Sequence, residues 1–103
     1  GLSKTGCPYV WGSTGPNSFD CSGFTQWVYR QNGIYIPRTS SEQKAAAKKV
    51  VSLSELEVGD ILWRSGHVGI YIGNGRYVHA PHTGDVVKVS SGVGKFTCGL
   101  RYQ

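Results

Sequence analysis

Apolar residues recur along this chain with two periods, and the change from one to the other divides it. Between Asp20 and Gly33, Phe24, Trp27 and Val28 fall three and four apart, the spacing of one helix face. Asp20 is a good N-cap and Asn32-Gly33 a stop signal, so a helix is predicted over residues 21–31. Further on, Thr39 and Glu42 make a capping box of T-x-x-E pattern ahead of Gln43-Lys44-Ala45-Ala46-Ala47-Lys48. That run of good helix formers with a basic end predicts a second helix. From Val50 the texture changes: Ser52–Leu56 reads as a short capped turn. Five β-rich runs follow, over residues 60–63, 67–72, 76–80, 86–89 and 96–101. Gly73-Asn74-Gly75 is a tight hairpin signal between the second and third, so those two strands should pair antiparallel. The first twenty residues, with Gly and Pro at short intervals, read as an ordered loop packed by Tyr9, Val10, Trp11 and Phe19. Helices first and consecutive antiparallel strands after is an α+β order.

The chain has 103 residues and no linker, which makes one domain, 1–103. Hydrophobic content of 39% against 17% charged excludes disorder as the main reading. No apolar run approaches the roughly 18 residues of a membrane span, so no membrane insertion is expected. The start, Gly1-Leu2-Ser3-Lys4, lacks the pattern of a signal peptide, which leaves a mature domain or one excised from a longer protein. A formal charge of +5 favours an anionic neighbour, whether nucleic acid, membrane surface or wall polymer. Without a basic helix or aromatic–basic interleaving, nucleic acid is not supported.

Three cysteines are an odd number, and Cys21 differs from Cys7 and Cys98. It opens the first predicted helix, where free N–H groups and the dipole favour an anion and should lower the thiol pKa. Asp20 and Ser22 flank it, and Gly23 removes bulk beside it, which suits a helix start facing a cleft. A nucleophilic thiol needs a base and the base an orienting partner. His67 opens one strand of the predicted hairpin and His79 ends the other, nearly opposite on one sheet face. One imidazole could take the thiol proton while the other holds its tautomer. The same three residues could form a zinc shell with an open position, but they lack C-x-x-C or short helical His spacing, so no metal or other cofactor is expected. His82 falls in a loop and reads first as a solvent-facing side chain.

Several blocks occur in a characteristic order: Pro8-Tyr9-Val10-Trp11-Gly12, Gly15-Pro16, Phe19-Asp20-Cys21-Ser22-Gly23-Phe24, Pro37-Arg38-Thr39-Ser40-x-x-Gln43, Gly59-Asp60-Ile61-Leu62, Gly66-His67-Val68-Gly69-Ile70-Tyr71-Ile72-Gly73, Val78-His79-Ala80-Pro81 and Gly84. Spanning residues 8–84, they closely resemble the NlpC/p60 family of bacterial cell-wall cysteine peptidases. The resemblance implies a compact papain-like fold, with N-terminal helices packed on a five- to six-stranded antiparallel sheet. It also implies hydrolysis of peptidoglycan stem peptides, typically between γ-D-glutamate and a diamino acid, meso-diaminopimelate or Lys. By motif match, Cys21 is the nucleophile, His67 the general base and His79 the third, polarising residue. Tyr9 matches a tyrosine beside the nucleophile that supports the oxyanion. Asp20, Ser22 and Arg38 match substrate-recognition positions. Trp63 and His82 are carried as candidate substrate contacts, although Trp11 and Trp63 read first as packing residues. The implied setting is extracellular or wall-associated, in a monomer tethered to other domains.

Cys7 and Cys98 stand outside these motifs and are a candidate disulfide for an exported domain. Closing so long a loop would stabilise by about 4–5 kcal/mol in the chain-entropy picture. Two rival functions stand beside the peptidase: a wall-binding module without turnover, and an amidase or acyl transferase using the same residues.

Overall fold

A computed structural model describes residues 5–15, 17–82 and 84–102. Pro16 and Thr83 lie outside the described residues. Helix α1 (Cys21–Gln31) starts where Asp20 accepts a hydrogen bond from the Gly23 amide, and it ends at Asn32. Both bounds follow the cap and stop signals. Helix α2 (Ser40–Ala46) is capped by Thr39, whose side chain accepts from the Glu42 amide. It stops two residues short of Lys48 because Ala47 is extended and the chain enters a strand.

That strand, β1 (Lys49–Val51), was not among the five expected. It joins β2 (Ile61–Arg64), β3 (His67–Gly73), β4 (Arg76–His79), β5 (Lys88–Ser91) and β6 (Cys98–Arg101) in one sheet of order β1-β6-β2-β3-β4-β5. Every pairing is antiparallel. β5 begins two residues later than the apolar run suggests. Backbone groups before it are taken by the N-terminal loop: the Val87 amide donates to Cys7, the Gly6 amide to Val87, and Pro8 bridges Val86. β6 is shortened by a 3₁₀ turn over Val93–Lys95, after which Phe96 turns inward. The hairpin between β3 and β4 turns as expected, with Asn74 at φ 56°.

Strand alternation gives the sheet two apolar faces. Ile61, Val68, Ile70, Val78 and Leu100 pack with Phe24, Val28, Phe19 and Ile36 as the main core. Their neighbours Leu62 and Tyr77 face the other way and close a smaller cluster with Phe96. Between the helices, Gln43 is wholly buried and fully bonded. Its amide N–H groups donate to the Ser22 and Pro37 carbonyls, and its oxygen accepts from Thr25. This locks α2 to the start of α1, beside Cys21.

The candidate Cys7–Cys98 disulfide is not formed; both thiols are free. Cys7 pairs with the segment leading into β5, whereas Cys98 lies in β6, four strands away in the sheet order. At about 4.8 Å per strand, that separation far exceeds the Cα spacing a disulfide spans.

Candidate active site

Cys21 stands at the first position of α1, half-buried, and its Sγ lies 3.9 Å from the Gly66 carbonyl oxygen. The helix start thus abuts the turn from which His67 emerges. Gly23 is required two positions on, since a Cβ there would fall 2.2 Å from the Ser13 carbonyl oxygen and 2.8 Å from Asp20 Oδ1. The expected lowering of the thiol pKa is not what the environment produces. Burial is the largest influence and pushes it up, Asp20 adds to this, and the amides of Val68, Ser22 and Cys21 pull only partly the other way.

Cys21 lies in a groove lined also by Tyr9, Trp11, Gly12, Arg38, Thr39 and Ser40, with Asp20, Ser22 and Gly66 completing it. Asp20 is only 5% exposed and is saturated with donors. The Gly12 and Gly23 amides reach it at 3.0 and 2.6 Å, and Arg38 binds both its oxygens, at 3.1 and 2.7 Å. Arg38 also donates to Ser22 Oγ at 2.9 Å. Its side chain also lines the groove. The Tyr9 phenol is held protonated, its pKa raised by burial first and then by Cys21 and Asp20.

Across the β3–β4 pair, His67 and His79 are in contact, Nε2 to Nδ1 at 2.8 Å. The ladder places Ile70 opposite Val78, which sets His79 opposite Gly69 and makes the two histidines diagonal neighbours on one face. Gly69 is the gap that lets them meet. A Cβ on it would come within 3.2 Å of the His79 Cβ and of the Tyr77 ring. Phe96 stacks on His67 with ring centroids 5.9 Å apart, and Tyr77 meets His79 edge-on at 4.8 Å. This apolar enclosure lowers both imidazole pKa values to about 4. After burial, Arg64, Lys95 and then His82 act on His67, while His67 itself and then Lys88 and Lys95 act on His79. At neutral pH the thiol and both imidazoles are therefore neutral.

Other candidates fall elsewhere. Trp63 is not on the groove: its indole N–H donates to the Ser40 carbonyl at 2.9 Å and Lys44 Nζ sits 4.2 Å over its ring, so it packs under α2. His82 is exposed and lies 3.4 Å from Asp85. Trp11, expected to pack, is 83% exposed and walls the groove. A further residue went unsuspected: Ser90 Oγ is 2.9 Å from His79 Nε2. Only the register of β4 and β5, with Tyr77 opposite Ser90, reveals it.

The NlpC/P60 family model matches residues 6–98, nearly the whole chain. The chain belongs to the NlpC/P60 family. Among its curated NlpC/P60 relatives, a probable endopeptidase of Corynebacterium glutamicum is 56% identical over 81 residues, which is 76% of this chain and 38% of that protein. A probable endopeptidase p60 of Listeria seeligeri is 50% identical over 84 residues, 77% of this chain and 16% of that one. The chain therefore spans well under half the length of these relatives. Among solved structures, the NlpC/p60 domain of the peptidoglycan hydrolase SagA superposes with a TM-score of 0.87 at 40% identity, covering 96% of this chain and 90% of that one. The peptidoglycan hydrolase RipB from Mycobacterium tuberculosis gives 0.84 at 32% identity, covering 98% and 60%. Two helices on a six-stranded antiparallel sheet are thus the NlpC/P60 fold.

Proposed function

We propose that this domain is a cysteine endopeptidase that hydrolyses peptidoglycan stem peptides at the bond between γ-D-glutamate and a diamino acid, outside the cell membrane. The observation that carries the reading is a groove that holds a helix-start thiol against the Gly66 carbonyl, one residue before His67, whose half-buried imidazole is paired with that of His79. Similarity to probable endopeptidases and to domains of named peptidoglycan hydrolases supports the substrate class.

In this mechanism the Cys21 sulfur attacks the amide carbonyl carbon as its proton passes to Nδ1 of His67, the ring nitrogen not engaged by His79. The carbonyl π electrons move onto oxygen, which the Cys21 amide and the protonated Tyr9 phenol receive. The imidazolium then gives its proton to the leaving amine, the C–N bond breaks, and a thioester remains. Water, losing a proton to His67, opens the thioester and restores the thiol. Because thiol and imidazole both start neutral, the proton moves during attack, and no standing ion pair is needed. Arg38 is the groove cation for a stem-peptide carboxylate, while Asp20 and Ser22 act through it as its anchors.

The test is mass spectrometry of soluble products after incubating defined muropeptides with the domain and with its Cys21→Ala and His67→Ala variants. Fragments cut after γ-D-glutamate are expected from the wild type, with turnover reduced at least about 10³-fold in either variant. Urea unfolding should show both variants folded. Intact muropeptides with retained binding would replace the peptidase by a wall-binding module, and undiminished cleavage by Cys21→Ala would overturn the nucleophile.

A further inference from the structure

The contacts of the histidine pair extend one residue beyond the proposed triad. His67 Nε2 meets His79 Nδ1 at 2.8 Å, and His79 Nε2 meets Ser90 Oγ at 2.9 Å. A neutral imidazole carries a single ring hydrogen, so the two facing nitrogens share one between them. This leaves two arrangements of the whole chain. In the first, His67 holds its hydrogen on Nε2 and donates to His79. The His67 Nδ1 is then bare and able to take a proton, and His79 must carry its hydrogen on Nε2 and donate it to Ser90. In the second, every hydrogen bond is reversed: Ser90 donates to His79, His79 to His67, and the His67 Nδ1 is already protonated and useless as a base.

We infer that Ser90 is a positioning residue that fixes the tautomers of His79 and His67, acting as the hydrogen-bond acceptor at the end of the relay. The fold supports the acceptor role. Ser90 is on β5, the last strand in the sheet order, and is half-buried, so its own hydroxyl hydrogen has access to water. His79 is 7% exposed and packed against Tyr77, so its Nε2 has Ser90 as its neighbour in place of solvent. The first arrangement also survives catalysis unchanged. When a proton arrives at His67 Nδ1, the hydrogens on Nε2 of both rings already point along the relay, and nothing has to turn over.

The inference rests on the proposed role of His67, and its test separates the two. ¹⁵N-detected NMR of the histidine rings at pH 7 reads the tautomers directly, whether or not the domain turns over muropeptides. The wild type should show hydrogen on Nε2 of both His67 and His79. Ser90→Ala should give a mixed His79 tautomer and a roughly tenfold lower kcat with KM within about twofold, and Ser90→Thr, which keeps the hydroxyl, should restore both. Hydrogen on His79 Nδ1 in the wild type, or tautomers and kcat unmoved by Ser90→Ala, would overturn it. A wild type that carries the expected tautomers but cleaves no muropeptide would leave the relay standing and remove the peptidase.

Discussion

On the Cys21 side of the site, Asp20 and Arg38 answer each other's charge and share Ser22, and two backbone amides complete the carboxylate. On the histidine side, His67 and His79 are enclosed by Phe96 and Tyr77 and bond to each other, and His79 bonds to Ser90. One wall is held by satisfied charge and the other by dehydration. The difference has consequences for chemistry. A saturated carboxylate cannot move without stranding its donors, so the polar wall is rigid and expensive to edit. Dehydrated imidazoles are held neutral, so the proposed base is ready over a wide pH range, although the rings themselves can be shifted by small steric changes.

The largest expected effect lies on the polar wall. Asp20→Ala removes the α1 cap and both partners of the Arg38 guanidinium at the carboxylate, and should cost about 2–4 kcal/mol in urea unfolding. By contrast, a loss under about 1 kcal/mol would mean that the wall is held by packing after all, and the comparison would fail.

A smaller effect is expected on the apolar wall. Gly69→Ala places a methyl group against the His79 Cβ at 3.2 Å, so the ring must give by a few tenths of an ångström. Turnover should fall about tenfold with little change in the urea midpoint, since geometry is lost and no charge is stranded. Unchanged kcat with a large fall in stability would show the glycine to matter for packing alone.

A third effect is a displacement along the pH axis. Both imidazoles have folded pKa values near 4 against an ordinary 6.5. Between those values the unfolded chain binds more protons than the folded one, so stability should fall as pH drops from about 6.5 to 4 and level off below. The acid limb of kcat/KM should likewise be centred near 4. A limb centred near 6.5 would mean that solvent reaches the pair and the histidine side is not dehydrated.

Much of this was readable from the chain. Asp20 and Asn32-Gly33 bound α1 as expected, the Thr39–Glu42 box starts α2, and Asn74 turns the β3–β4 hairpin, because caps and tight turns are local devices. Residue type and order also pointed to Cys21, His67 and His79 as one group. Other features depend on partners far along the chain. β1 is three residues long and exists only because β6, fifty residues later, pairs with it. Trp63 packs under α2, but Trp11, read first as a packing residue too, is exposed, since exposure is decided by what folds over a side chain.

The amino-acid sequence by itself determined where the helices begin and where the hairpin turns, since each is set by residues a few positions apart, and it marked one thiol and two imidazoles as candidates for the chemistry. Only the tertiary structure decided the diagonal register that joins His67 to His79 over Gly69, the serine beyond them, and the protonation of the site. Those follow from burial and from strand pairing, and neither has a local signal: a thiol at a helix start is pulled down by nearby amides, but in this fold desolvation outweighs them.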